Sequence, residues 1–241
     1  MKSIARFIFC TACVLLWGGQ LSAQYEFELG YRVGMWNGSS KVNNIIDQYN
    51  SQRPWLTKKM PHVHFGQGVR FATGLAPTHS HPIGFVFNYT YMRSNVVANG
   101  IEPNIGEEGY RRLRMNLGDF LIGSQVQLSS DGKEIIWGLD ADLSFFVIST
   151  QHATDSKFSK TETDNTLVNE TNFGLITYVR YTFYAGRVGL GFSPYLQFPW
   201  YRSDVTPVAD YFNVNPPTHP KIWPFNFGLT TSIVFSKHHD D

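Results

Sequence analysis

The sequence has few charges and lacks the long apolar runs of a helical membrane protein. Only 16% of its 241 residues are charged, and beyond the N-terminus no apolar run approaches the roughly 20 residues that a transmembrane helix needs. A bundle of membrane helices is therefore excluded. Disorder is excluded as well, because 19 Phe, 12 Tyr and 6 Trp residues bring more apolar surface than a solvated chain carries.

The N-terminal segment has the pattern of a secretory signal. Lys2 and Arg6 precede an apolar stretch at 7–17, and small residues lead up to Ala23. This pattern predicts a signal peptide that ends at Ala23. The alternative is a lipoprotein signal that modifies Cys13, but the apolar region ahead of that cysteine is short.

The predicted organisation is a signal peptide at 1–23 followed by one domain at 24–241. Both cysteines, Cys10 and Cys13, lie in the signal. The domain can therefore hold no disulfide, no Cys-ligated zinc and no Cys nucleophile. Without the two basic residues of the signal, the 20 basic residues fall to 18, against 19 acidic ones. This near-neutral balance supplies no basic face for nucleic acid.

What the domain does contain is alternation of apolar and polar residues, which is typical of strands with one apolar face. The surplus of aromatic residues, together with 21 glycines, also favours β-structure. The alternation recurs in eight segments, at 25–35, 63–71, 83–91, 113–126, 135–147, 173–183, 188–198 and 223–235. The domain is therefore predicted to be all-β with eight strands.

The fourth segment changes phase. Leu113, Met115 and Leu117 alternate with arginines, whereas beyond 118–119 the apolar side is taken by Phe120 and its successors at even positions. A β-bulge that starts at Gly118 would explain the slip. That interpretation puts the arginines of this segment on the same face as the polar residues of the other strands.

The connections alternate in length. In chain order they span 37–61, 75–82, 96–109, 129–134, 150–171, 186–187 and 201–221. This alternation predicts an eight-stranded antiparallel up-and-down transmembrane β-barrel with short periplasmic turns and long extracellular loops. A soluble lipocalin-like barrel is the alternative. The face that combines Gly with Arg and Asp is narrow and charged, which favours placing it inside and the bulky aromatics in lipid.

The sequence resembles a known class of barrel proteins. The signal ending in Ala-Gln, the cysteine-free domain and the last strand, which alternates from Gly228 into the aromatic Phe235, are similar to the small outer-membrane barrels of the Bacteroidetes type. These fall within the OmpX-like and OmpA-like eight-stranded class, and there is a weaker similarity to PorT-like barrels. The resemblance implies residence in the outer membrane of a Gram-negative bacterium, with N- and C-termini in the periplasm. It also implies contact with outer-membrane lipid and lipopolysaccharide, and other envelope proteins as partners.

The inward face carries charges of both signs. An eight-stranded barrel is just wide enough to be filled by side chains, so we expect a lumen ion network and no open conduction. Its predicted members are Glu26, Glu28, Arg32, Arg70, Arg112, Arg114, Asp140, Asp142 and Arg180. Asp140 and Asp142 could alternatively form a cation site, although pairing with lumen arginines is favoured.

The loops are the expected place of function. Four apolar residues of the first loop fall at helical spacing and predict a short helix, which either folds onto the barrel mouth or binds a partner. The third loop, at 151–170, is polar and predicted to be mobile, whereas the fourth is aromatic. The candidate interaction residues are Val42, Ile45, Ile46, Tyr49, Trp55, Trp200, Tyr201, Tyr211 and Phe212.

The sequence therefore predicts a non-enzymatic barrel with a filled lumen that acts as a structural or interaction protein, or as an accessory subunit of an envelope complex. No catalytic residue, metal site or cofactor is predicted. The alternatives are a lipid-modifying envelope enzyme and a narrow pore.

Overall fold

The computed structural model describes residues 24–77, 82–103, 106–129, 134–159, 161–215 and 219–236. The predicted signal peptide at 1–23 lies outside these residues.

Eight antiparallel strands form a closed barrel. They are β1 (Gln24–Trp36), β2 (Phe65–Ala76), β3 (Ile83–Ile101), β4 (Glu108–Ser129), β5 (Glu134–Ala153), β6 (Thr161–Ala185), β7 (Val188–Pro199) and β8 (Asn226–Ser236). Each strand pairs with its neighbours in sequence, and β8 closes the ring on β1, where Phe27 lies opposite Phe235. The prediction of an eight-stranded up-and-down barrel is confirmed.

The two ends of the barrel differ. At the end called here the turn end, the strands are joined by the short connections 77–82, 130–133 and 186–187. Gly186 has a φ of +67°, which glycine adopts at little steric cost in a tight hairpin turn. The opposite end, called here the loop end, carries the connections 37–64 and 200–225.

Two connections predicted as long loops are mostly strand. β3 and β4 continue as a paired hairpin as far as Ile101 and Glu108, and β5 and β6 continue to Ala153 and Thr161. The predicted loops at 96–109 and 150–171 are therefore wrong in extent. The strand predictions depend on an apolar outward face, and these segments have none. Their backbone hydrogen bonds nevertheless continue across each strand pair.

The loop-end connections contain two helices. A 3-10 turn (Asn37–Ser39) leads into α1 (Ser40–Ser51), and α2 (Thr206–Phe212) lies in the last connection. A short strand at Leu56–Lys58 extends the sheet along β3. In the last connection, Ser203–Asp204 pairs with Lys221–Ile222. Among the described residues, no helix is long and apolar enough to cross a membrane.

Helix α1 closes the loop end from within. Val42, Ile45 and Ile46 are fully buried, and Tyr49 nearly so. They belong to a single apolar core with α2 and with inward side chains of the upper strands, including Leu113, Met115, Leu117, Phe146, Ile148, Val208 and Phe212. The ring of Tyr49 packs against that of Phe212 with centroids 4.7 Å apart. The first-loop helix therefore folds onto its own barrel, which was the favoured interpretation of the helical spacing.

The polarity of the wall reverses part-way along the barrel. On β4, the outward residues Phe120 and Ile122 are exposed and apolar. Nearer the loop end the same strand turns Leu113, Met115 and Leu117 inward, where they are buried. The register of β4 with both neighbours is continuous through Gly118. The predicted bulge is therefore wrong. The strand keeps the same alternation throughout, and what changes along it is whether the inward or the outward side chains are apolar.

This reversal corrects the positions of two predicted lumen residues. Arg112 lies opposite Val97 and Gln151, and Arg114 lies opposite Asn95 and Ser149, all on the outer face. Their side chains are half-buried rather than enclosed. An arginine inside this part of the barrel would be desolvated in the apolar core around α1, whereas outside it meets water.

Candidate functional site

The lumen is filled by three layers of polar side chains, and the first lies nearest the turn end. Arg180 of β6 is fully buried and contacts both carboxylate oxygens of Glu26, with Nη2 of Arg180 2.6 Å from Oε2 of Glu26. The same guanidinium lies 3.3 Å from carboxylate oxygens of Glu28 and of Glu134. The hydroxyl of Tyr184 donates to Glu134 at 3.0 Å. One cation thus holds three carboxylates, which come from two strands on different sides of the barrel.

The second layer is built around Arg70. Its Nη2 lies 3.5 Å from Oε2 of Glu28 and donates to Asn88 at 3.1 Å. Asn88 in turn donates to Asp140 at 2.5 Å. The guanidinium of Arg70 also stacks on the ring of Tyr178 at 4.6 Å, which gives the cation a second favourable contact.

The third layer joins Arg32 to two aspartates. Arg32 donates to Thr90 at 2.9 Å, lies 3.8 Å from Asp119 and stacks on Tyr195 at 3.6 Å. Gln197 then donates from one amide nitrogen to Asp119 at 3.0 Å and to Asp142 at 2.7 Å. Because side chains from β1, β3, β4, β5 and β7 meet here, little free cross-section is left.

Acidic groups outnumber basic ones in the lumen. Among the described residues, the buried charged side chains are Glu26, Glu28, Asp119, Glu134, Asp140 and Asp142 against Arg32, Arg70 and Arg180. Neutral amide donors partly compensate for the smaller number of arginines, since Asp140 accepts a hydrogen bond from Asn88 and Asp142 accepts one from Gln197. The two aspartates of the possible cation site therefore use different partners. No group of three or more metal-ligating side chains suited to a metal ion occurs in the described ranges.

The apolar core at the loop end lies above these layers. Trp36 and Phe146 are buried there with ring centroids 6.1 Å apart, under α1 and α2. A path along the barrel axis would have to pass both the ion network and this core. The arrangement therefore suits anchoring and rigidity better than transport.

The candidate interaction residues divide into two groups. Val42, Ile45, Ile46, Tyr49 and Phe212 are buried in the core at the loop end. The predicted interaction role of these five positions is corrected, because side chains with almost no accessible surface cannot contact a partner.

The other four candidates remain accessible. Trp200 and Tyr201 are 57% and 62% exposed, and Trp55 is half-buried. Tyr211 is also exposed, and its hydroxyl accepts a hydrogen bond from Arg111 at 2.7 Å, which ties α2 to the wall.

In the two loop-end connections, Tyr49 and Asp204 have shifted pKa values. Burial raises the pKa of the Tyr49 hydroxyl above its ordinary value of 10.0. Hydrogen bonds from the hydroxyl and the backbone N–H of Thr206 lower the pKa of Asp204 below 3.8. Both shifts follow from the folding of the connections over the mouth, so they report on structure rather than on catalysis.

No protein-family model and no curated protein matches the chain. Solved structures with a similar chain trace include Ail, the attachment invasion locus protein of Yersinia pestis, crystallised with the heparin analogue sucrose octasulfate. It is 8% identical with a TM-score of 0.38, over 89% of this chain and 100% of that one. The translocator domain of the autotransporter NalP from Neisseria meningitidis is 7% identical with a TM-score of 0.24, over 97% of both chains. Because both TM-scores are low, the fold rests on the strand pairing described above.

The structure also adds lumen residues that the sequence analysis missed. The predicted bulge at 118–119 includes Asp119, whereas the uninterrupted alternation of β4 places this residue inside the barrel. Glu134 precedes the first apolar residue of β5 and contacts Arg180. Gln197 and Tyr195 alternate with outward residues of β7, so the sequence pattern is sufficient to predict that they face inward. It is not sufficient to predict their contacts with Asp119, Asp142 and Arg32.

Proposed function

We propose that this protein is a non-conducting, non-enzymatic barrel of the outer membrane of a Gram-negative bacterium, of the small OmpX-like type. In this proposal the turn end faces the periplasm with both chain termini, and the loop end faces outward. The observation that carries the proposal is the reversal of wall polarity. Near the turn end apolar side chains face outward and charged ones face the lumen, whereas near the loop end polar side chains face outward and apolar ones form the core.

The apolar outer wall supports placement in lipid. Large apolar side chains are exposed on all eight strands, represented by Leu29, Phe71, Phe85, Phe120, Leu139, Phe183, Leu190 and Ile233. Monomeric soluble proteins rarely expose contiguous apolar patches larger than a few hundred Å², whereas this surface encircles the molecule. Such a band is the lipid contact of a transmembrane barrel.

The upper wall supports an interaction role. Above the apolar band, β3 to β6 continue as a rigid paired wall whose outer face carries polar residues such as Asn95 and Asn169. The core around α1 stiffens this wall from inside, because its apolar residues pack against the inward side chains of the same strands. A rigid polar surface held above the membrane suits contact with lipopolysaccharide or with another envelope protein, as structural support or as an accessory subunit.

The membrane assignment is tested by gel migration. Purified protein in detergent is run boiled and unboiled, and the intact barrel is expected to migrate differently from the unfolded chain. Fractionation of cells should place the protein with the outer membrane. Identical migration of the two samples, or recovery in a soluble fraction, would contradict the proposal.

The interaction role is tested by crosslinking in intact cells. A photoreactive amino acid at Asn95 or Asn169 on the upper wall is expected to give defined protein adducts. The same group at Leu229, which faces outward in the apolar band, serves as the matched control and should give none of those adducts. Absence of protein adducts from both upper-wall positions would count against an interaction protein.

A further inference from the structure

The outer wall has a groove at the boundary between the apolar band and the polar upper wall. The backbone ladder of β2 and β3 runs from Leu75 and Phe85 up to Gln67 and Arg93. Beyond that point Phe65 has its ladder partner on β1, and its carbonyl accepts a hydrogen bond from the Ser94 hydroxyl of β3 at 2.5 Å. The two strands therefore diverge and leave a groove with a volume of about 570 Å³. Apolar side chains of Tyr31, Val33 and Val69 line it toward the turn end, and Arg93, Ser94 and Asn95 line it on β3, with the exposed Phe65 at its loop-end side.

Arg93 lies on this rim with neutral partners. Its Nε donates to Oδ1 of Asn116 at 2.9 Å, and its Nη2 donates to the hydroxyl of Tyr91 at 2.6 Å. No carboxylate of the described residues lies within salt-bridge distance of it. The side chain is exposed. A guanidinium oriented by neutral acceptors keeps its full charge and further N–H groups for an anion.

Two further arginines raise the positive potential beside the groove. On the outer face of β4, Arg114 and Arg112 are the next two outward residues after Asn116 in the direction of the loop end. Their one described carboxylate partner is Asp164, 3.7 Å from Arg114. Burial, followed by the charges of Arg114 and Arg93, lowers the pKa of Arg112. The charges of Arg93 and Arg114 therefore both act on Arg112, at the side of the groove.

We propose that this groove binds a phosphorylated glycolipid of the outer leaflet, with a phosphate on Arg93 and an acyl chain along Tyr31, Val33 and Val69. The site rests on the proposed membrane placement. Charge complementarity selects a phosphate, because a guanidinium can donate two parallel hydrogen bonds to it. The position selects a lipid, because the cationic rim adjoins exposed apolar side chains that continue into the band.

The test is native mass spectrometry of the full-length barrel in detergent, titrated with bisphosphorylated lipid A and with the same lipid A after dephosphorylation. The wild type is expected to prefer the phosphorylated form. Arg93→Gln should weaken its binding about tenfold or more, which corresponds to about 1.4 kcal/mol or more. Arg93→Lys should retain part of the affinity, because it keeps the charge without the fork. Arg202→Gln is the matched control, since Arg202 is an exposed arginine that stacks on Trp223 in the last connection.

Several outcomes would overturn the site. Equal binding of the dephosphorylated lipid, unchanged binding by Arg93→Gln, or competition by inorganic phosphate alone with no lipid preference would each do so. Each variant is also run boiled and unboiled. A normal gel shift with no lipid preference refutes the site alone, whereas loss of the shift in the wild type refutes the membrane placement on which it depends.

Discussion

Arg180 and Glu26 meet across the lumen, with Nη2 of Arg180 2.6 Å from Oε2 of Glu26. The guanidinium comes from β6 and the carboxylate from β1, two strands that are not neighbours in the sheet. Because both side chains are buried, their attraction is weakly screened and their desolvation is large. This contact therefore links two sides of the barrel that share no backbone hydrogen bonds.

Replacing Arg180 is expected to destabilise the barrel strongly. Arg180→Gln leaves three carboxylates around a neutral side chain, and loss of one partner from a buried ion pair costs about 3–5 kcal/mol. The measurement is the temperature at which the unboiled gel form is lost. Arg202→Gln removes an exposed arginine and should leave that temperature unchanged. Equal transition temperatures for Arg180→Gln and the wild type would contradict the structural role of the network.

Gly138 provides space for Tyr178. A Cβ at Gly138 would overlap the Tyr178 ring, so Gly138→Val should destabilise the barrel by about 1–3 kcal/mol through overpacking. Ala141→Val, at an exposed position on the outward face of the same strand, is the control and should be close to neutral. Adding Tyr178→Ala to Gly138→Val should recover part of the loss. Equal transition temperatures for Gly138→Val and Ala141→Val would show that the lumen beside Tyr178 has room for a larger side chain.

Helix α1 should detach when its apolar face is disrupted. Ile45→Asp places an unpaired charge in the core at the loop end, which does not tolerate it. We expect cleavage within 37–64 by added protease, while the gel shift of the barrel is retained. Asn44→Asp, at an exposed position of the same helix, should remain protected. Resistance of Ile45→Asp to the protease would show that α1 is not held by this face.

The filled lumen predicts an electrically silent protein. In planar bilayers the wild type should give no discrete conductance steps, because the three polar layers and the apolar core lie in series along the axis. A porin reconstituted in the same way is the positive control. Reproducible steps that depend on the amount of folded protein would revive the narrow-pore alternative.

The segment around α2 should weaken in acid. The pKa of Asp204 is lowered in the folded protein, so its contribution to stability is fully present above the ordinary value of about 3.8 and is lost as the pH falls through the folded value. Hydrogen exchange at the Thr206 amide should therefore show a local loss of protection in this range. Asp204→Ala should remove both the hydrogen bonds and the pH dependence, at a cost of about 0.5–1.5 kcal/mol. An unchanged pH profile in that variant would refute the assignment.

The sequence by itself determined the strand number, the up-and-down order and the outward face of each strand in the apolar band. It could do so because a strand alternates with period two, and in this band the apolar side chains occupy one face of each strand and the polar side chains the other. The same reasoning identified Glu26, Arg70, Asp140 and Arg180 as inward residues.

Only the tertiary structure decided what happens above the band. There the outer face meets polar surroundings and the inner face meets α1 and α2, so the same alternation has the opposite meaning. Arg112 therefore lies outside and Leu113 inside, although the local sequence resembles the strands below. Alternation specifies two faces but not what each face contacts, and that depends on where the helices of distant connections pack.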